Sequence, residues 1–178
     1  CEHSILRRTR SDIRVVPLKQ SDLRAKGVYT RDVDKLASTE FTFTRFLVPH
    51  LNEYKGWAVF CDSDMVFLMD AVHLFDNLDP TLAVYCVQHD YNPPEGLKMD
   101  GQIQTQYPRK NWSSMMIFNC SHPSTQQLTV ERVNTATGAY LHRFEWCKDS
   151  EIGILDCSYN WLVGHYSEGT DGTPKILH

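Results

Sequence analysis

Apolar and polar positions along the chain mark out its elements before anything else does. Ser4-Ile5-Leu6-Arg7-Arg8 reads as the last turns of a helix, and Ile13-Arg14-Val15-Val16-Pro17-Leu18, β-branched and bounded by charge, predicts a strand. A short polar helix around Ser21 to Lys26 follows, which makes a βα opening. Ser38 or Thr39 caps a further helix, with Glu40 in its first turn to complement the dipole. Phe41, Phe46 and Leu47 supply its buried side, and Pro49 marks a kink or end. Gly56-Trp57-Ala58-Val59-Phe60-Cys61 is apolar without clean alternation, the pattern of a strand covered on both faces. A helix over Ala71 to Asp76 precedes a second buried strand, Leu82 to Val87.

From His89 to Arg109 the pattern dissolves into a Pro- and Gly-containing loop, with turn chemistry at Asn92-Pro93-Pro94 and Glu95-Gly96. A structureless stretch of about 20 residues is uncommon in a compact domain, and such loops tend to be functional. Ser114 to Asn119 restores a strand. Ser124 caps a helix running to about Asn134, Gly138 to Trp146 suggests another, and Pro174-Lys175-Ile176-Leu177 closes the chain as a strand before His178. Strands alternating with helices predict an α/β layered fold around a mostly parallel central sheet. No internal repeat, low-complexity tract or linker divides residues 1–178, so a single domain is expected.

Composition narrows the function. The 178 residues are 42% hydrophobic and 22% charged, in the range of one domain with its own core. A net charge of −4 is not the basic footprint of a nucleic-acid binder, so phosphate must be met locally by a few cations or a metal. The longest apolar run, Trp57 to Met69, is broken by two aspartates and falls short of the roughly 20 residues a membrane span needs. Neither a transmembrane helix nor a signal peptide is legible, which fits a cytoplasmic protein and leaves room for peripheral membrane association. The chain opens on Cys1 inside a helical pattern, so a fragment lacking its first strand is expected. Cys1, Cys61, Cys86, Cys120, Cys147 and Cys157 lack zinc-type spacing and read as free thiols rather than a disulfide frame. Two N-glycosylation sequons, at Asn111 and Asn119, are short enough to arise by chance.

The sharpest chemical feature is Asp62-Ser63-Asp64, directly after a buried strand. Two carboxylates one residue apart at a strand terminus can turn toward one hard cation at the carboxyl edge of a sheet, where open α/β folds bind their ligands. That cation can neutralise a diphosphate leaving group. The competing reading is a turn carrying two solvated acids. Apolar flanks on both sides, ending in Met65-Val66-Phe67-Leu68, favour the site.

Several segments follow one another in an informative order: Ser38 to Phe46, the strand ending in Asp62-Ser63-Asp64, Asn111 opening a strand, Asp149-Ser150-Glu151-Ile152, Asn160-Trp161, and Pro174 to His178. This set resembles glycosyltransferase family 8 and its bacterial relatives, over nearly all of the chain from Thr9 onward. The resemblance implies a GT-A fold and transfer of a hexose from a nucleotide sugar, a UDP-sugar, to a carbohydrate or other acceptor hydroxyl with retention. It makes Asp62, Asp64 and His178 ligands of Mn2+ or Mg2+, with Ser63 in the same donor-binding motif. It sets Arg45 against the nucleotide sugar, where a guanidinium suits phosphate. Asn111 and Asp90 become donor-sugar contacts, and Asp149 and Glu151 the acids beside the anomeric carbon, where a carboxylate stabilises oxocarbenium-like charge. Ser150 departs from the family's usual glutamine, and the loop that follows the family's histidine lies beyond His178.

Arg109 and Lys110 are weaker cation candidates, and Tyr91, Tyr107, Trp112, Trp146 and Trp161 could stack on a sugar or serve the core. Two other functions fit some of the same residues. Asp62 to Val66 also reads as the Asp-x-Asp-x-Val nucleophile motif of haloacid-dehalogenase-like phosphatases, although more than 60 residues precede it and no second acidic pair follows a later strand. A sugar-binding module without turnover is the third possibility.

Overall fold

The computed structural model describes residues 1–10, 12–32, 42–90, 96–97, 103–104, 109 and 111–178. Six short helices are present among them: α1 (Glu2–Arg8), α2 (Gln20–Ala25), α3 (Val48–Leu51), α4 (Pro123–Gln126), α5 (Val130–Thr135) and α6 (Gly138–His142). Eight strands accompany them: β1 (Trp57–Cys61), β2 (Val66–Phe67), β3 (Val84–Val87), β4 (Gly96–Leu97), β5 (Ile103–Gln104), β6 (Met115–Asn119), β7 (Ile152–Leu155) and β8 (Ile176–Leu177). The central sheet has the order β1-β6-β3-β7. β6 is antiparallel to both β1 and β3, while β7 is parallel to β3. Three of the four strands therefore share one direction, as expected, and β6 alone is reversed. β2 and β8 form a separate antiparallel pair, Val66 opposite Leu177 and Phe67 opposite Ile176.

Period-2 alternation divides the core between the faces of this sheet. Met116 and Phe118 of β6 face one side with Val84 and Cys86 of β3, meeting Phe46, Leu47, Leu128, Leu141 and Phe144. Met115 and Ile117 face the other side with Tyr85, meeting Ile5, Met65, Phe67 and Ile176. All five β6 residues are buried, which explains their unbroken apolar run. Each such side chain removed from water contributes about 1.5–3 kcal/mol. Gly153 of β7 is required by shape, because a Cβ there would enter the ring of Tyr85 on the neighbouring strand.

Several expectations need correction. Ile13 to Leu18 joins no ladder; Ile13 and Val15 pack against the second core cluster while Val16 stays exposed. Leu18 packs against the first cluster, so these residues serve packing and not a strand. Pro49 does not stop a helix but stands in the first turn of α3, where its missing N–H costs nothing. The proposed helix start at Ser38 to Phe41 lies outside the described residues. The helix expected from Ser124 to Asn134 is two, because Thr129 accepts from the Arg132 N–H at 3.1 Å and caps a fresh start. The one expected to reach Trp146 ends at His142, before the left-handed Phe144 (φ 58°). Within the His89 to Arg109 stretch, β4 and β5 pair antiparallel; the turns at Asn92-Pro93-Pro94 and Glu95 lie outside the described residues. β7 was not anticipated, since its four residues follow an acidic turn and look like an extension of it.

All six cysteines are free thiols. Asn119 is buried and its amide donates to the carbonyls of Pro80 (3.0 Å) and Leu82 (3.1 Å), so that sequon is committed to the core. Among the described residues, no helix is long and apolar enough to cross a membrane.

Candidate active site

β1 ends where the chain turns, and the turn carries the acids. Asp62 N–H donates to the Ser114 carbonyl (2.9 Å), extending the β1–β6 ladder by one step and fixing where the strand stops. Ser63 and Asp64 follow as exposed turn residues before the buried Met65 restores the core. Arg45, from the 3-10 turn Thr44–Leu47, lies across the Phe60 ring and grips Asp62 through both guanidinium nitrogens, at 3.0 and 3.4 Å. The same guanidinium donates to the Ser113 carbonyl at 2.8 Å. Burial raises the Asp62 carboxyl above the ordinary carboxylate range; Arg45 and then His178 pull against it, and Asp64 adds to the rise.

His178 comes to the same rim from the far end of the chain. Its N–H donates to the Trp161 carbonyl and its carbonyl accepts from Val163, both at 2.9 Å. Its Nε2 stands 3.8 Å from Asp64 Oδ1. Its Nδ1 meets Asn160 Oδ1 at 2.9 Å, Asn160 Nδ2 meets Ser114 Oγ at 2.8 Å, and Ser114 Oγ meets the Asn111 carbonyl at 2.7 Å. The carbonyl at the end of this chain can only accept, so every other direction follows. Ser114 donates to Asn111 and accepts from the Asn160 amide; Asn160 turns its oxygen to His178, whose Nδ1 must carry the proton. Nε2 is left facing Asp64. Asn160 is fully buried, which holds the whole chain in place.

These contacts allow the donor set to be tested. Asp64 and the Nε2 of His178 are adjacent oxygen and nitrogen donors suited to Mn2+ or Mg2+. Asp62 is shared with Arg45, but a carboxylate offers about four acceptor positions and can bridge two cations. Among the described residues, no three His, Cys, Asp or Glu side chains already converge as an assembled metal site. Asp64 and His178 are neighbours at 3.8 Å, while Asp62 is paired with Arg45.

Two further groups line the region. His89, after β3, is buried; its Nδ1 lies 2.8 Å from the Tyr166 hydroxyl, and its Nε2 is buried with no hydrogen-bond partner. Burial, with the charges of His178 and His165 nearby, pushes its imidazole down to about 4. Asp90 beside it is exposed. Asn111 adopts a left-handed backbone (φ 64°), a conformation asparagine tolerates, and thereby presents its carbonyl to Ser114.

The predicted acids part company. Asp149 is exposed and pairs with Arg109 at 2.5 Å, while Arg109 also donates to the Arg143 carbonyl (2.6 Å) and stacks over Trp112. Glu151 is engaged by the Lys148 N–H (3.0 Å) and the Ser124 hydroxyl (2.7 Å), which hold its carboxyl below the usual range and make it a cap. The structure therefore does not bring Glu151 to the Asp62–His178 group. Trp146 and Trp161 are buried in the core, Trp112 is partly buried, and Lys110, Tyr91 and Tyr107 lie outside the described residues. Sequence reasoning gave no role to Asn160, Ser114 or His89. Only Asn160, quoted within the ordered motif set, carried a usable signal.

This arrangement of sheet, reversed strand and acid-bearing rim is a GT-A fold of the glycosyltransferases. It is similar to the apo structure of the WbbM bifunctional glycosyltransferase (18% identity, TM-score 0.54, 81% of this chain and 32% of that one). It is also similar to the apo glycosyltransferase GlyE of Streptococcus pneumoniae TIGR4 (15% identity, TM-score 0.50, 83% of this chain and 39% of that one). The chain spans less than half the length of either. No family profile matches the sequence. A protein of Arabidopsis thaliana, Protein CDI, is 53% identical over 181 aligned positions that take in 100% of this chain and 70% of its own length. The chain belongs to the family of Protein CDI.

Proposed function

We propose that this protein is a metal-dependent glycosyltransferase of the family 8 type, moving a hexose from a UDP-sugar to an acceptor hydroxyl with retention of anomeric configuration. The observation that carries the reading is the meeting of Asp64 with Nε2 of His178, 3.8 Å apart and close to Asp62, at the rim of a glycosyltransferase fold. Asp62, Asp64 and His178 would hold a divalent ion, which when bound would supply charge neutralisation for a diphosphate leaving group. Arg45 holds the Asp62 carboxylate in place and adds positive charge beside the phosphates. Asn111 and Asp90 hydrogen-bond the donor sugar, and Ser63 completes the donor-binding turn. Asp149, oriented by Arg109, stabilises positive charge at the anomeric carbon. Glu151 acts behind Asp149 by capping the turn that carries it.

One feature favours the second reading, sugar binding without turnover: Asp62 already has a cation in Arg45. A donor screen decides between them. With Mn2+ and the full-length protein, nucleoside diphosphate should be released from a UDP-sugar, and Asp64→Ala should abolish that release. Donor binding without release would support the binding module, and hydrolysis of phosphate monoesters would support the phosphatase.

A further inference from the structure

Cys1 and Cys61 are 60 positions apart in sequence, yet their sulfurs lie 3.6 Å from each other. Neither backbone is free to drift. The Cys1 carbonyl accepts from the Ser4 N–H (3.0 Å), the Ile5 N–H (3.2 Å) and the Ser4 hydroxyl (2.6 Å). Ser4 Oγ in turn accepts from the Phe67 N–H (3.0 Å), tying α1 to β2. Cys61 is the last residue of β1, in register with Met115 of β6. Both thiols border the same core cluster, on one side of the sheet. Helix α1 therefore touches the acid-bearing turn at both of its ends, through the thiol contact at Cys61 and through Ser4 at Phe67.

We infer that Cys1 and Cys61 are a redox pair, a reversible disulfide that staples α1 to the strand end carrying Asp62. The oxidant is a small-molecule disulfide such as glutathione disulfide. The thiolate of Cys1 attacks it, forming a mixed disulfide and releasing one glutathione. The Cys61 sulfur then attacks the Cys1 sulfur, giving up its proton to the second glutathione as that leaves. Two cysteine sulfurs are oxidised, one glutathione disulfide is reduced to two thiols, and excess glutathione runs the sequence backwards. The sulfurs are already in contact, and closure brings them from 3.6 Å to bonding distance. The closed bond would restrict a 60-residue span of the unfolded chain. None of this depends on glycosyl transfer.

The test is equilibration of the full chain in glutathione buffers of graded ratio, followed by alkylation and peptide mapping. The expected result is a linked Cys1–Cys61 peptide that grows with the disulfide fraction and vanishes in excess thiol, while Cys86, Cys120, Cys147 and Cys157 remain alkylated. The oxidised protein should melt higher, by on the order of 10 °C. Cys1→Ser, which leaves Cys61 in the core, should lose both the link and the rise. The inference is overturned if Cys61 is alkylated equally at every ratio, if glutathione stays on Cys1 as a mixed disulfide, or if the link joins other cysteines.

Discussion

Acidification should destabilise this protein through a half-buried histidine packed beside its core. His142, at the end of α6, meets Ser113 Oγ at 2.7 Å and lies edge-on to Phe46 with ring centroids 5.0 Å apart. Burial, and then the nearby Arg45 charge, push its imidazole from 6.5 down to about 3. The sign follows directly. The unfolded chain binds this proton near pH 6.5 while the fold resists it until about pH 3, so stability is complete above 6.5 and lost as pH falls through that window. Each pH unit inside the window costs about 1.4 kcal/mol, so His142 alone should remove about 2 kcal/mol between pH 6.5 and 5. His89, pushed down to about 4, should remove a similar amount over the same interval. The perturbation is His142→Asn, whose oxygen can still accept from Ser113 but does not titrate. Losing the ring contacts should cost about 1–3 kcal/mol at every pH. The difference in stability between pH 7.5 and 5, measured by urea unfolding, should then shrink from about 4 to about 2 kcal/mol. If wild type and variant lose the same amount on acidification, His142 is not the neutral group described.

Three other outcomes test the site and its scaffold. Asn160→Leu strands the His178 Nδ1 proton and removes the donor that Ser114 Oγ accepts from; it should cost about 2–4 kcal/mol in thermal unfolding and weaken Mn2+ binding by calorimetry about 10–100-fold. Arg45→Met leaves the partly buried Asp62 carboxylate without its cation and should destabilise by roughly 2–3 kcal/mol in urea. Gly153→Ala should force the Tyr85 ring off β7 and break its hydroxyl's contact with the Asp79 N–H (2.7 Å); a melting curve should register about 1–3 kcal/mol.

How far sequence reached depends on what kind of contact fixes each part. β3 and β6 were legible because burial on both faces makes an unbroken apolar run, and β1, half-buried along its length at the sheet edge, carries the same kind of run. The Asp62–Asp64 turn was legible because two acids interrupt that apolarity. The direction of β6 was not, since hydrogen-bond polarity leaves no trace in hydropathy. Ile13 to Leu18 misled because its apolar, β-branched residues serve packing against the two core clusters and not a ladder. Glu151 shows the limit of motif spacing: it stands two residues from Asp149, yet its backbone belongs to a cap that turns its carboxylate toward Ser124. The chain from Asn111 to His178 was invisible, because its order arises from four residues scattered over 68 positions that meet only after folding.

The reversal of β6 has a practical side. Its entry at Asn111 to Ser114 shares a rim with the exits of β1 and β3, whereas its exit lies at the opposite end, where Cys120 N–H meets the Gly56 carbonyl at 2.8 Å. The turn beside it, with Glu53 and Lys55 paired in solvent at 3.0 Å, is thus the natural point for attaching a fluorophore or surface tether. A label placed there reports on the molecule from behind, with the length of β1 between it and the acids.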